Sequence, residues 1–205
     1  MINWLTAASA TFTRTYSPGS GYTRRQLIPS SDISNSGRPY TRVTFNNSIS
    51  DISLSLNPVY IGQKADSGDA YDFQTTPVEL KFSGSSGFSI AAGQTITSDP
   101  ALFTIPTGKD LLISFYESGS SRLSNGVKNG WNYYYKAGND AATVNATGYA
   151  AFYNTVLSIS LIEAGILSGG GIGISPYPIL TKRWWQGWRQ KDNLWQPKEI
   201  GLKNI

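Results

Sequence analysis

The chain has 205 residues and a formal net charge of +4, with 15% charged and 13% aromatic residues and neither cysteine nor histidine. Without cysteine there is no disulfide, thiolate nucleophile or Cys-bound metal, and without histidine there is no Ser-His-Asp triad, Cys-His pair or His-bound zinc. Catalysis would rest on carboxylates, lysine, tyrosine or a Ser-Lys pair. No such constellation stands out, so we expect a protein that is not an enzyme and has no cofactor, metal or catalytic residue.

The length suits one domain with an appendage and suffices to bury roughly 70% of the unfolded chain's surface. Sparse charge with abundant Gly, Ser, Thr, Asn and aromatics favours strands and turns over helices. Met1-Ile2-Asn3-Trp4 lacks the basic and apolar regions of a secretory leader. The apolar runs fall far short of the roughly 20 residues that a membrane span needs.

Residues 1–39 read as a strand-and-loop segment ahead of the main domain. Phe12, Arg14 and Tyr16 alternate before the turn cluster Ser17-Pro18-Gly19-Ser20-Gly21. The pair Arg24-Arg25, beside Tyr22, reads as a solvated hairpin face in preference to a docking patch, because short charge runs face solvent. From Tyr40 the pattern becomes regular. Tyr40-Thr41-Arg42-Val43-Thr44-Phe45 alternates, Leu54-Ser55-Leu56 and Val59-Tyr60-Ile61 follow, and Pro58 marks a bulge or an edge position.

Val78, Leu80 and Phe82 alternate with Glu79 and Lys81, Phe88-Ser89-Ile90 opens another strand, and Leu111 to Tyr116 is an unbroken run suited to a core strand. Turn clusters at Gly84-Ser85-Ser86-Gly87, Ala92-Gly93, Ser98-Asp99-Pro100 and Pro106-Thr107-Gly108 separate these runs. Ala150 to Ile162 is expected to form the last strand. The reading is an all-β fold, an antiparallel and jelly-roll-like β-sandwich over residues 40–165.

The ordered series Arg42-Val43-Thr44-Phe45-Asn46-Asn47, Val59-Tyr60-Ile61-Gly62, Pro77-Val78-Glu79-Leu80-Lys81-Phe82-Ser83-Gly84, Ile90-Ala91-Ala92-Gly93 and Ile105-Pro106-Thr107-Gly108-Lys109-Asp110-Leu111 to Tyr116 carries a resemblance over residues 38–140. It resembles the non-catalytic N-terminal β-sandwich that precedes the catalytic domain in many bacterial SGNH/GDSL-type esterases. The resemblance implies a sandwich fold and an accessory role. The Gly-Asp-Ser nucleophile motif of those enzymes is missing from this sequence, as is histidine, so no catalytic residue carries over.

Three stretches offer candidate sites. Asp66, Asp69 and Asp72 around Gly68 supply oxygen ligands of the kind calcium takes, but their spacing matches no EF-hand and Asp and Gly are default turn residues; a surface loop is the reading. Trp131-Asn132-Tyr133-Tyr134-Tyr135 is open to two readings. In one, Trp131, Asn132 and Tyr134 form a sugar-binding face of rings and amides. In the other, Trp131, Tyr133 and Tyr135 share a core-facing pleat and Tyr134 points outward. Lys128 and Lys136 are the only adjacent cations, too few for a nucleic-acid strand, and no nucleic acid is expected.

The third stretch is the end of the chain, residues 166–205, read as an extended tail. Ser168-Gly169-Gly170-Gly171 has linker composition. Beyond it come Arg183, Trp184, Trp185, Trp188, Arg189 and Trp195, so that four of the six tryptophans lie here. From residue 175 onward six Lys and Arg face two acidic residues, a surplus equal to the net charge of the whole chain. Trp and Arg are preferred interface anchors, and docking on a partner protein or on the chain's own domain is favoured over lipid or nucleic-acid contacts; we read these six residues as partner-binding. The expected function is a non-catalytic structural protein of a tailed phage or phage-like particle: a head decoration, a head-fibre or spike base, or a tail or baseplate component. It is assembled in the host cytoplasm and contacts other virion proteins in a homo- or hetero-oligomeric assembly, with host surface glycan as a further ligand. The alternatives are a carbohydrate-binding module or an accessory subunit of a hydrolase.

Overall fold

The computed structural model describes residues 1–16 and 19–168 in full, and residues 188–191 and 194–197 as backbone. The chain divides into two units, Met1–Ser168 and Gly169–Ile205. In chain order the strands of the first are β1 (Ile2–Ser9), β2 (Arg14–Thr15), β3 (Tyr22–Ile28), β4 (Tyr40–Asn46), β5 (Leu54–Gln63), β6 (Val78–Glu79), β7 (Phe88–Ile90), β8 (Thr95–Thr97), β9 (Ala101–Leu102), β10 (Leu111–Glu117), β11 (Ser124–Val127), β12 (Asn132–Ala137), β13 (Ala150–Phe152), β14 (Thr155–Leu157) and β15 (Ile159–Leu167). The second contains a hairpin of β16 (Trp188–Lys191) and β17 (Leu194–Pro197).

The fold is all-β, as expected, and its strand pairs are antiparallel. A five-stranded sheet runs β1-β15-β4-β8, with β9 also on β4. A seven-stranded sheet runs β13-β12-β3-β10-β5-β6, with β7 also on β5. A three-stranded sheet runs β14-β11-β2. Alternation decides the core. In β4, Thr41, Val43 and Phe45 are buried while their neighbours are half-buried. Val43, Phe45, Ile162 and Ala164 of the five-stranded sheet join one apolar cluster with Ile28, Leu56, Ile61, Ile113 and Phe115 of the seven-stranded sheet. Two sheets sharing one core in this way make a β-sandwich.

Residues 1–39 do not stand apart from the sandwich. β1 is an edge of the five-stranded sheet, and β3 lies inside the seven-stranded one, hydrogen-bonded to β10 on one side and β12 on the other. Alternation alone does not reveal this in β3, because Thr23 through Ile28 are all buried: both faces of the strand are covered. Pro58 sits where the β5–β10 register shifts, the bulge its residue type suggests.

The single strand expected over Ala150–Ile162 is instead three. Asn154 and Ser158 take positive φ (52° each), the left-handed conformation that breaks a strand. These two breaks carry the chain from the seven-stranded sheet through the three-stranded one to the five-stranded one. Gln26 anchors the crossing: its side chain accepts from Leu157 N–H and donates to the carbonyls of Thr155 and Asn132.

Candidate functional site

The two faces of β3 organise the most unusual chemistry in the sandwich. Arg24 and Arg25, expected on a solvated hairpin face, are both buried, at 3% and 0% exposure. The reason is topological: a strand flanked on both sides and covered on both faces has no solvated side.

Arg24 points between the sheets, where Nε donates to Glu117 Oε1 at 3.0 Å with both side chains buried. Its guanidinium lies over four tyrosine rings, 4.9 Å from the centroid of Tyr16, 5.6 Å from Tyr133, 5.7 Å from Tyr135 and 5.9 Å from Tyr22. Burial holds the Glu117 carboxyl above its ordinary range, outweighing the attraction of Arg24. Burial also raises the Tyr133 hydroxyl, reinforced by Tyr16. Gly19 closes over the pair so tightly that a Cβ there would lie 2.9 Å from Glu117 Oε2.

Around this pair runs a row of rings that reaches the surface. Phe152 stacks on Tyr133 at 5.1 Å between centroids and 9° between planes, and it lies 5.7 Å from Tyr135, which in turn lies 6.1 Å from Tyr22. Phe152 is 42% exposed and Tyr22 36%; Tyr135 is half-buried. Phe152, Tyr135 and Tyr22 thus form an aromatic shelf whose rings are held from beneath by a buried ion pair. Tyr22 and Phe152 were legible only as a neighbour of the arginines and as a strand former.

On the opposite face, Arg25 has no carboxylate partner within ion-pair distance among the described residues. Its Nη1 donates to the carbonyl of Tyr71, and its Nη2 donates to those of Asp140 and Thr143. The guanidinium packs against Phe73 and Tyr149, and burial pushes the Tyr149 hydroxyl up to about 12. A second apolar cluster of Leu27, Phe73, Leu112 and Tyr134 forms here, roofed by the loops on either side of Tyr71 and Val144. Asp72 ties the two loops together by accepting from Ala146 N–H at 2.9 Å.

The sequence-based candidates fall out as follows. Trp131 is fully buried, and its Nε1–H donates to Asp32 Oδ2 at 2.7 Å. Tyr134, expected outside if its neighbours were core, is 5% exposed, because the loop roof covers the outer face as well. Asn132 is half-buried and accepts from Asn154 N–H through Oδ1. Neither Trp131 nor Tyr134 therefore presents a ring to a sugar; among the described residues the exposed rings are Tyr22 and Phe152 of the shelf and Tyr153, at 69% exposure. Arg183, Trp184 and Trp185 lie outside the described residues. Trp188 and Arg189 are on β16 and Trp195 is on β17, so part of the stretch read as an extended tail is a hairpin.

Asp66, Asp69 and Asp72 do not converge. Asp66 pairs with Lys109, Asp69 accepts from the Tyr71 hydroxyl and Asp72 caps backbone N–H groups. An open pocket of about 180 Å³ lies between Lys64, Asp66, Lys109 and Asp110, and its polar groups are engaged with the protein: Asp110 accepts from Ser30 N–H and Lys64 donates to the carbonyl of Ala65. Each acidic residue between 1 and 168 accepts at least one hydrogen bond or ion pair from the chain itself. Among the described residues no helix is long and apolar enough to cross a membrane. No protein-family model matches the chain, and no curated protein matches it.

Proposed function

We propose that this protein is a non-catalytic structural subunit of a tailed phage or phage-like particle, displaying its sandwich and docking to neighbouring subunits through Arg183, Trp184, Trp185, Trp188, Arg189 and Trp195. The observation that supports the reading is that each acidic residue between 1 and 168 is oriented by at least one hydrogen bond or ion pair from the chain itself. General acid–base work needs a carboxylate aimed at substrate, whereas these are aimed at backbone, hydroxyl, indole, lysine and arginine groups of the protein. The position in the particle is a head decoration, a head-fibre or spike base, or a tail or baseplate site.

Mass spectrometry of purified particles tests this, with the protein expected in constant stoichiometry to the other structural components. Its absence from particles sinks the reading. Alanine at Trp184, Trp185, Trp188 and Trp195 together is expected to leave the sandwich folded and to remove the protein from particles.

A second reading, binding of host surface carbohydrate, is favoured by one observation: Phe152, Tyr135 and Tyr22 form a contiguous, partly exposed row of rings. The one cation beneath them is already neutralised by Glu117, which suits an uncharged sugar better than a phosphate backbone. Titration of neutral glycans against the protein and its Phe152→Ala variant checks this; binding that the variant leaves intact would move the ligand elsewhere.

A further inference from the structure

The sheet edges of residues 1–168 are guarded unequally. β8 and β9, at one side of the five-stranded sheet, have three and two residues. The edges of the seven-stranded sheet are β13, β6 and β7, of three, two and three residues, and those of the three-stranded sheet are β14 and β2, of three and two. Edges this short offer little template for another strand, which is how natural sheets avoid pairing with one another. β1 is the exception. It is an edge of eight residues, INWLTAAS, containing neither a charge nor a proline.

We propose that β1 is the seam of a homodimer, in which Ile2–Leu5 pairs antiparallel with the same residues of a second copy about a two-fold axis.

Three observations select this occupant. First, half of the edge is already closed by the chain itself. Ser34 N–H donates to the carbonyl of Ala7, and Ser34 Oγ and Asn35 Nδ2 donate to that of Thr6. Among the described residues nothing pairs with the outer edge at Ile2–Leu5, and a long foreign strand there would run into the loop at 33–35. A second copy offers a stretch of the same length, limited by its own copy of that loop. Second, the seam is neutral. Lysine plus arginine and acidic residues balance at eleven each over residues 1–168, and β1 carries no charged side chain, so a dyad there brings no charged side chains together. Beside the seam, Arg42 and Glu163 are paired at 2.6 Å, with Arg42 also stacked on Trp4.

Third, apolar surface is already exposed beside the seam. Leu5 is 37% exposed, Ile166 46% and Leu167 57%. By register Asn3 pairs with Ile166 and Leu5 with Ala164, so Leu5, Asn3 and Ile166 share one face. Trp4 packs over Gly165, where a Cβ would lie 2.7 Å from the indole, and this close packing keeps the seam flat on the other face. A closed isologous pair consumes the edge without leaving a new one, whereas pairing with a different strand would propagate it.

This proposal is independent of the particle and glycan readings. The test is the mass of the full-length chain by light scattering after size exclusion, with amide exchange at Ile2–Leu5 as the local readout. Two copies are expected. Leu5→Lys and Leu5→Glu should each weaken the dimer about tenfold or more, because each sets a charge on the apolar seam and its symmetry copy carries the same charge on the same face, and an equimolar mixture of the two should restore it. Asn3→Lys, at an exposed position on the same face, should act like Leu5→Lys and serves if the latter fails to fold. One copy for the unaltered chain overturns the proposal. So does a dimer that survives both Leu5 variants, which would place the contact elsewhere, or a variant mixture that stays monomeric.

Discussion

Arg24 and Arg25 are adjacent on one strand, yet the protein neutralises them by opposite means. Arg24 is sealed between two sheets, where the only economical partner for a cation is an anion, and Glu117 supplies it. Arg25 lies under two loops, and the peptide carbonyls of those loops supply the compensation. The first arrangement is a buried ion pair that adds little net stability but is costly to break from one side. The second is a clamp: one guanidinium fork gathers carbonyls at Tyr71, Asp140 and Thr143, segments about seventy residues apart in the chain. The lesson is that a basic pair in a sequence need not be one feature. The alternation of a strand assigns its two members to different jobs.

The contrast can be broken most severely at the clamp. Arg25→Ala should cost about 3–5 kcal/mol by urea denaturation, since it strands three carbonyls at once under the loop roof. Arg25→Lys should recover less than half of this, because an ammonium lacks the planar fork. Full recovery would show that only charge matters there.

Next in size, Glu117→Leu should cost about 3 kcal/mol by leaving the buried Arg24 guanidinium without its acceptor. The double variant Arg24→Met, Glu117→Leu should regain most of that loss. A double variant as unstable as the single one would mean that the tyrosine rings depend on the guanidinium itself.

The same pair predicts a pH dependence. Because burial holds the Glu117 carboxyl above its ordinary value of 4.5, the folded state binds that proton more tightly than the unfolded state does. Its contribution is therefore fully present below the unfolded value and is lost as pH rises through the folded one. The urea midpoint of the unaltered protein should carry a component that falls from about pH 4.5 upward, and that component should be missing from Glu117→Gln. Equal slopes in the two proteins would refute the assignment.

The smallest effect is at the shelf. Phe152→Ala, partly exposed but stacked on Tyr133, should cost about 1 kcal/mol, while removing any sugar affinity that the shelf confers. Isothermal titration together with thermal unfolding separates the two consequences.

Much of the fold was legible because strand alternation is a local property. Tyr40–Asn46 and the apolar run from Leu111 are each half or fully buried in the pattern their residues spell out. The candidate site was less legible. Tyr134 pointed outward in both readings of its strand, and Trp131 in one of the two, because nothing nearby in the chain announces what covers them, and the covering residues, Asp32 and Phe73, are far away in sequence. Phe152 looked like one more core residue of a long strand, until the left-handed turns at Asn154 and Ser158 cut that strand into three.

By itself, the amino-acid sequence determined the all-β class, most of the strand positions, a bulge or edge at Pro58 and the exclusion of histidine and cysteine chemistry. Each of these depends on residue type or on spacing within a few positions. Tertiary structure decided that residues 1–39 belong inside the sandwich, that Arg24 and Arg25 are buried and divided between its faces, and which rings reach the surface. Those outcomes depend on which strands become neighbours, and neighbours in a sandwich are brought together from more than a hundred residues apart.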